Sequence, residues 1–213
     1  RYNLAYLRYL GGDPGEALRE FAEVRKACEE TQEERRLCLC WVDESEILLE
    51  IGDLEESIEA ARNARALGSK LGLNAEIGKS YLFEAQAAFR LVRTREALDL
   101  LERATKRFEV EGNGVLIAAS KLQAALLRGE RGEFSALSDA AAVRSRLRNL
   151  GLPHRLALAD IVIGRIQRSY GDIACAIDSF KSALEISEKG RSKWMQFHAC
   201  YELGLSLAAQ KDP

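Results

Sequence analysis

Between Leu39 and Ile51 the apolar residues Leu39, Trp41, Val42, Ile47, Leu48, Leu49 and Ile51 recur with helical rather than alternating spacing. The band is broad, so the helix it predicts is buried on more than one side. Gly52-Asp53 breaks the pattern, and the aspartate is placed to cap the helix that follows. That second helix carries Ile58, Ala61, Ala64 and Leu67 before Gly72 ends it. The same order of apolar band, turn and apolar band predicts eleven helices, near residues 3–13, 14–31, 34–51, 54–71, 74–92, 94–111, 114–129, 133–150, 153–170, 173–189 and 192–209. Pro14 and Pro153 fall at predicted turns, where a helix start tolerates them.

The pattern repeats. IGDLEESIEAARNA at 51–64 returns as YGDIACAIDSFKSA at 170–183 and, more loosely, as GGDPGEALREFAEV at 11–24. The small residues Ala17, Ser57, Ala97, Ala136 and Ala176 follow one another at intervals of 40, 40, 39 and 40. Twelve residues upstream of each lies another small residue: Ala5, Ser45, Ala85, Ala124 and Gly164, with Gly204 forty further on. A third column, Gly72, Gly112 and Gly151, places the missing residue between Gly112 and Ala124, in or near Gly112-Asn113-Gly114. One helical hairpin cannot bury both its faces, whereas stacked hairpins share a core and small residues let them approach closely. The expected fold is all-α: an α-solenoid of antiparallel helix pairs in a right-handed superhelix. It is one repeat domain over 1–213, in repeats near 1–33, 34–73, 74–113, 114–152 and 153–191, with the first helix of a sixth at 192–213. The chain opens on Arg rather than Met, and is expected to be a piece of a longer protein.

These columns resemble the tetratricopeptide repeat, whose signature is W-x2-L-G-x2-Y followed by A-x3-F. The second repeat matches with Trp41, Ser45, Leu48, Ser57 and Ala61; the first with Leu4, Ala5, Ala17 and Phe21; the fifth with Ile163, Gly164, Ala176 and Phe180. The period of about 40 exceeds the usual 34 or so and implies longer helices. Glu44, Glu84 and Gln123 stand at the usual Leu position, so they need Arg or Lys partners or a face turned to water. The segments YNLAYLRYLGGDPGEAL, ESEILLEIGDLEESIEAA, KRFEVEGNGVLIAAS, RNLGLPHRLALA and WMQFHACYELGLSLAAQKD are similar to the long-period repeats of bacterial CHAT-class proteins. That resemblance implies a sensing or docking arm for a caspase-like protease domain whose catalytic residues lie elsewhere.

Composition narrows the function. The net charge of −2 gives no general pull toward nucleic acid or anionic membrane. No apolar run reaches the length of a membrane span and no signal-peptide pattern is present. The five cysteines, Cys28, Cys38, Cys40, Cys175 and Cys200, contain no CxxC pair and read as reduced intracellular thiols in a cytoplasmic protein, most of them core fillers. His154 and His198 are the only histidines, and His198 and Cys200 point to different helix faces. Cys38-x-Cys40 lacks the further ligands of a zinc site. GNG at 112–114 and the glycines of GERGE at 129–133 read as turns; neither continues into a Gly-Lys-Ser/Thr phosphate loop. No catalytic, metal or cofactor site is expected.

The expectation is a non-catalytic scaffold or regulatory arm that holds a peptide or partner domain, including domains of the same full-length chain. A second reading stays open: the effector-sensing arm of a signal-transduction ATPase-type transcription activator. Tetratricopeptide offsets applied to the first helix of repeats three to five select Lys79, Leu82, Gln86, Phe89 and Arg90; Ala118, Lys121, Ala125, Arg128 and Gly129; and Leu158, Ile161, Arg165, Arg168 and Ser169. Lys79, Phe89, Arg90, Lys121, Arg128, Arg165 and Arg168 are the candidate binding residues, and an acidic peptide or partner surface is their expected ligand, with Tyr2, Tyr6 and Tyr9 adding apolar contacts. Trp194, Phe197, Leu203 and Leu207 predict a sticky last helix and self-association through it.

Overall fold

The structure, a computed structural model, describes residues 1–211; Asp212 and Pro213, the end of the predicted sixth repeat, lie outside the described residues. Eleven helices follow in order: α1 (Tyr2–Leu10), α2 (Pro14–Thr31), α3 (Glu34–Ile51), α4 (Leu54–Leu71), α5 (Asn74–Arg90), α6 (Thr94–Val110), α7 (Gly114–Glu130), α8 (Ser135–Asn149), α9 (Pro153–Ser169), α10 (Ile173–Lys189) and α11 (Lys193–Lys211). No strand occurs among the described residues. No helix there is long and apolar enough to cross a membrane. Two compact units result, one spanning Arg1–Ile117 and the other beginning at Ala118.

In the N-terminal unit the first helices α1, α3 and α5 lie side by side, while α2 packs on α1 and α3, α4 on α3 and α5, and α6 on α5. In the C-terminal unit α8 and α10 pack on α9, and α11 packs on α9 and α10. The small residues Ala17, Ser57, Ala97, Ala136 and Ala176 are all fully buried. Where both small columns carry serine, the side chains satisfy each other across the crossing: Ser45 Oγ donates to the Ser57 carbonyl at 3.0 Å, and Ser57 Oγ to the Ser45 carbonyl at 2.8 Å. The Gly164 column residue meets the buried ring of Phe180, and Gly78 meets that of Phe108.

The turns locate the irregular step, and not where the glycine column put it. Left-handed residues punctuate the chain at Gly12, Gln32, Gly52, Gly72, Val92, Gly112, Gly132, Gly151, Gly171 and Arg191. Successive ones are 20 residues apart, except Gly132 and Gly151, which are 19 apart. Ala136 lies four residues after Gly132, whereas Ala17, Ser57, Ala97 and Ala176 lie five after their turn residues. The missing residue is therefore in the turn entering α8. There the Ala136 N–H bonds the carbonyl three residues back, on Glu133, at 3.0 Å. The other four small residues bond the carbonyl four back, on Asp13, Asp53, Arg93 and Asp172. This tightening moves the start of α8 from the expected 133 to Ser135. Buried positions in α7 agree: Ala118, Ser120, Ala125 and Leu127 match Cys38, Cys40, Ser45 and Ile47, so Ala125 rather than Ala124 is the column residue. Gly129 is helical and packs on Ile166, not in a turn. Asp13 and Asp172 cap their helices; Asp53 makes no side-chain cap bond.

Glu44 and Glu84 find arginines, and so does Asp160, which stands three positions earlier in its repeat. Arg25 of α2 bonds Glu44 of α3 at 2.6 Å, and its guanidinium lies 3.8 Å from the centre of the Trp41 ring. Arg65 of α4 bonds Glu84 of α5 and lies over Tyr81, with Arg62 joining Glu84 at 2.8 Å. Arg144 of α8 grips Asp160 of α9 with two nitrogens, one of them at 2.9 Å. Each main arginine sits eight residues after the small residue of its own helix, so one device joins a hairpin to the next. Glu44 is still penalised: burial lifts its carboxyl from the ordinary 4.5 to about 6, with Arg25 pulling the other way. A carboxyl raised on folding binds more protons when folded, so its contribution is full below the unfolded value and is lost as pH rises through 6. From pH 7.5 to pH 5 this group is expected to stabilise the N-terminal unit by about 1–2 kcal/mol. Urea unfolding followed by Trp41 fluorescence in a Trp194→Phe protein measures it, and Glu44→Gln should remove it. Equal pH slopes with and without Glu44 would contradict the assignment.

Candidate functional site

On the N-terminal unit the first helices present a face built from Tyr2, Tyr6 and Tyr9 of α1, Asp43, Glu46 and Glu50 of α3, and Lys79, Phe89 and Arg90 of α5. Residues on adjacent first helices meet because the helices lie in register one repeat apart. The Tyr2 hydroxyl donates to the Asp43 carboxylate, the Tyr9 phenol lies near the Glu50 carboxylate, and the Arg90 guanidinium donates to the Leu49 carbonyl. Burial raises the Asp43 carboxyl, against the pull of Tyr2 and Lys79. Burial, then Asp43 and Glu50, raises that of Glu46, with Lys79 opposing. The phenols of Tyr2, Tyr6 and Tyr9 are pushed up by burial and by these same carboxylates. Lys79 thus faces a tyrosine-edged group of carboxylates, Phe89 is half-buried on α5, and Arg90 is exposed.

On the C-terminal unit Arg165 and Arg168 project from α9. Arg165 Nη2 lies 3.0 Å from Glu130 of α7, and its Nε 3.8 Å from Glu202 of α11. Arg168 Nη2 lies 2.5 Å from Glu202 and Nη1 3.2 Å from the Ser206 hydroxyl. Arg128 Nη2 lies 3.1 Å from Asp139 of α8. The shifted register in α7 changes the reading of repeat four. Lys121 and Arg128 occupy the places of Tyr81 and Ala88, not those of Leu82 and Phe89, so Arg128 turns toward its own second helix. Glu130 takes the place of Arg90 and brings an acid onto a face whose selected positions had none.

The structure therefore gathers Lys79, Phe89 and Arg90 in one unit and Arg165 and Arg168 in the other. Arg128, Arg165 and Arg168 each have a carboxylate partner. The sequence offsets missed those partners because Glu130 and Glu202 lie outside the chosen positions. No group of three or more metal-ligating side chains occurs among the described residues. Cys28, Cys38 and Cys40 are buried, and Cys175 and Cys200 are exposed free thiols.

No protein-family model matches the sequence, and no curated protein matches it. Solved structures do match the fold. Aspartyl phosphate phosphatase F from Bacillus subtilis aligns with a TM-score of 0.77 at 15% identity, over 92% of this chain and 52% of that one. The Pyrococcus horikoshii signal-transduction ATPase with numerous domains that carries a tetratricopeptide repeat sensor aligns with a TM-score of 0.76 at 13% identity, over 96% of this chain and 31% of that one. BtubC from P. vanneervenii aligns with a TM-score of 0.71 at 19% identity, over 95% of this chain and 85% of its own. This chain thus spans about half of the Bacillus protein and under a third of the Pyrococcus one. These likenesses establish a tetratricopeptide-like helical-repeat fold.

Proposed function

We propose that the protein is a non-catalytic interaction scaffold, a docking or regulatory arm that holds a peptide or partner domain on the faces of its first helices. The observation that carries this reading is the partly exposed polar and aromatic face of α1, α3 and α5, and its counterpart on α9. Its polar groups pair with one another across successive repeats, which makes an ordered surface. The Pyrococcus neighbour, whose repeats are a sensor, supports a regulatory role. It equally favours the second reading, an effector-sensing arm of a signal-transduction ATPase-type transcription activator. Control of a caspase-like protease domain rests on the CHAT-class resemblance.

The ligand class proposed is an acidic peptide or acidic surface, taken by Arg165 and Arg168 in one unit or by Lys79 and Arg90, beside Phe89, in the other. In the C-terminal unit the ligand carboxylates exchange with Glu130 and Glu202. Binding should weaken with salt, because partly exposed charges are screened over about 8 Å at physiological ionic strength. The test is fluorescence anisotropy with labelled acidic and basic decapeptide pools. Acidic peptides should bind, and Lys79→Glu with Arg165→Glu, one change in each unit, should weaken them by at least about tenfold while helicity is unchanged. Equal binding of both pools, or no effect of a folded double variant, refutes the acidic ligand.

A further inference from the structure

Every exposed residue of α11 from Trp194 to Ala209 is uncharged, although charged residues make up 30% of the chain. Trp194, Phe197, Tyr201, Gly204 and Ala208 recur at intervals of three, four, three and four, the spacing of a helix–helix seam. Trp194, Phe197 and Tyr201 are 61%, 66% and 56% exposed, which sets them apart from a buried core helix. The rings are already ordered: Phe197 stacks on Tyr201 at 6.4 Å, and Trp194 lies 4.1 Å from the His198 ring. The other side of α11, with Met195, Ala199, Glu202 and Ser206, is buried. Leu203, expected on the sticky face, packs with the buried cluster around Phe180.

This face has left the repeat pattern. Seven residues before the small residue, earlier first helices carry Cys38, Gly78 and Ala157; α11 carries Phe197. Three before it they carry Tyr2, Val42, Leu82, Leu122 and Ile161, so Tyr201 of α11 has a precedent and Phe197 is the departure. The earlier residues at the Phe197 place are small, and a second helix closes on them: Cys38 Sγ donates to the Ala64 carbonyl at 3.3 Å, and Gly78 abuts Phe108. Phe197 fills the space that Cys38 and Gly78 leave open, so the close helix approach of the earlier repeats is not available here.

A second copy fits. Bulky residues occupy the first half of the seam and small ones the second. In an antiparallel pair centred on Tyr201, Trp194 of one protomer meets Ala208 of its partner, and Phe197 meets Gly204. A Cβ added at Gly204 would touch nothing within 4 Å in the single chain, so the notch is open. A parallel pair would set indole on indole and leave the small half empty. The three aromatic side chains at this exposure offer about 100 Å² each or more. With Leu205, Leu207 and the alanines the face reaches roughly 500 Å², the upper range of patches on a monomer. Two copies bury about 1,000 Å² in all, where specific interfaces begin.

We propose that α11 is a self-pairing surface on which two copies of the chain join antiparallel, about a two-fold axis at Tyr201. The exposed Cys200 sits next to that axis, so a short bismaleimide should link Cys200 to Cys200 of the partner in a Cys175→Ser protein. Sedimentation velocity from low to high micromolar protein should show a monomer–dimer equilibrium. Phe197→Glu, and separately Gly204→Leu, should raise the dissociation constant more than about tenfold and abolish the cross-link, with helicity kept because both sites are exposed in the single chain. A monomer across that range overturns the proposal and leaves the face to another helix of this chain or to a different protein. A dimer that tolerates both substitutions, or that never links through Cys200, also overturns it.

Discussion

Arg144→Met should destabilise the C-terminal unit by about 3 kcal/mol, the cost of leaving one partner of a buried ion pair alone. Asp160 is 3% exposed and accepts from two of the three guanidinium nitrogens of Arg144; the Ser182 hydroxyl, at 2.8 Å, is its remaining partner. A hydroxyl satisfies one lone pair and carries no charge, so the carboxylate stays largely uncompensated. Asp160→Leu added to Arg144→Met should recover most of the loss, because two well-packed apolar residues replace a pair whose desolvation offsets its attraction. Urea unfolding followed by Trp194 fluorescence in a Trp41→Phe protein measures both. A cost below about 1 kcal/mol, the level of exposed pairs, would show that this arginine does not join one hairpin to the next.

Gly164→Ala should destabilise the same unit by about 2 kcal/mol, within the range for overpacking. Propensity alone argues the reverse, since alanine is favoured over glycine inside a helix by about 1 kcal/mol. Geometry decides the sign: a Cβ at 164 would lie 2.6, 2.7 and 2.9 Å from three ring atoms of Phe180, which is fully buried and has nowhere to move. Phe180→Leu should make the two sites couple, so the double variant loses less than the sum of the singles. Gly204, in the same column, is the internal control. Gly204→Ala has open space and should stabilise by up to about 1 kcal/mol at protein concentrations too low for pairing. Effects of the same sign at 164 and 204 would mean that the column does not mark helix crossings.

Much of this arrangement is legible in the sequence. Gly-Asp turns and apolar bands place ten of the eleven helix starts within one residue, and the fully buried column Ala17, Ser57, Ala97, Ala136 and Ala176 is visible by spacing alone. The exceptions have physical causes. Ala124 and Ala125 are both alanines, so only burial tells which one carries the register. That ambiguity hid the tight turn before α8 and misplaced Lys121 and Arg128. Gln32, Val92 and Arg191 adopt the left-handed conformation without being glycine, so three turns lack the usual residue signal. The exposed α11 face is readable from Trp194, Phe197 and Leu207, but helical period does not separate Leu203 from it. Charge was the least legible feature, because a list of face positions on one helix does not reveal the carboxylates that neighbouring helices bring to Arg165 and Arg168.

The most direct test of the binding face is site-specific photo-cross-linking in cells. A photoreactive residue replaces Arg90 or Arg165 on the first helices, or the exposed Glu102 of α6 or Glu185 of α10 on the second helices. Partner proteins captured at Arg90 or Arg165, and absent at Glu102 and Glu185, are the result predicted here. Capture at Glu102 or Glu185 with none at Arg90 or Arg165 would contradict the account.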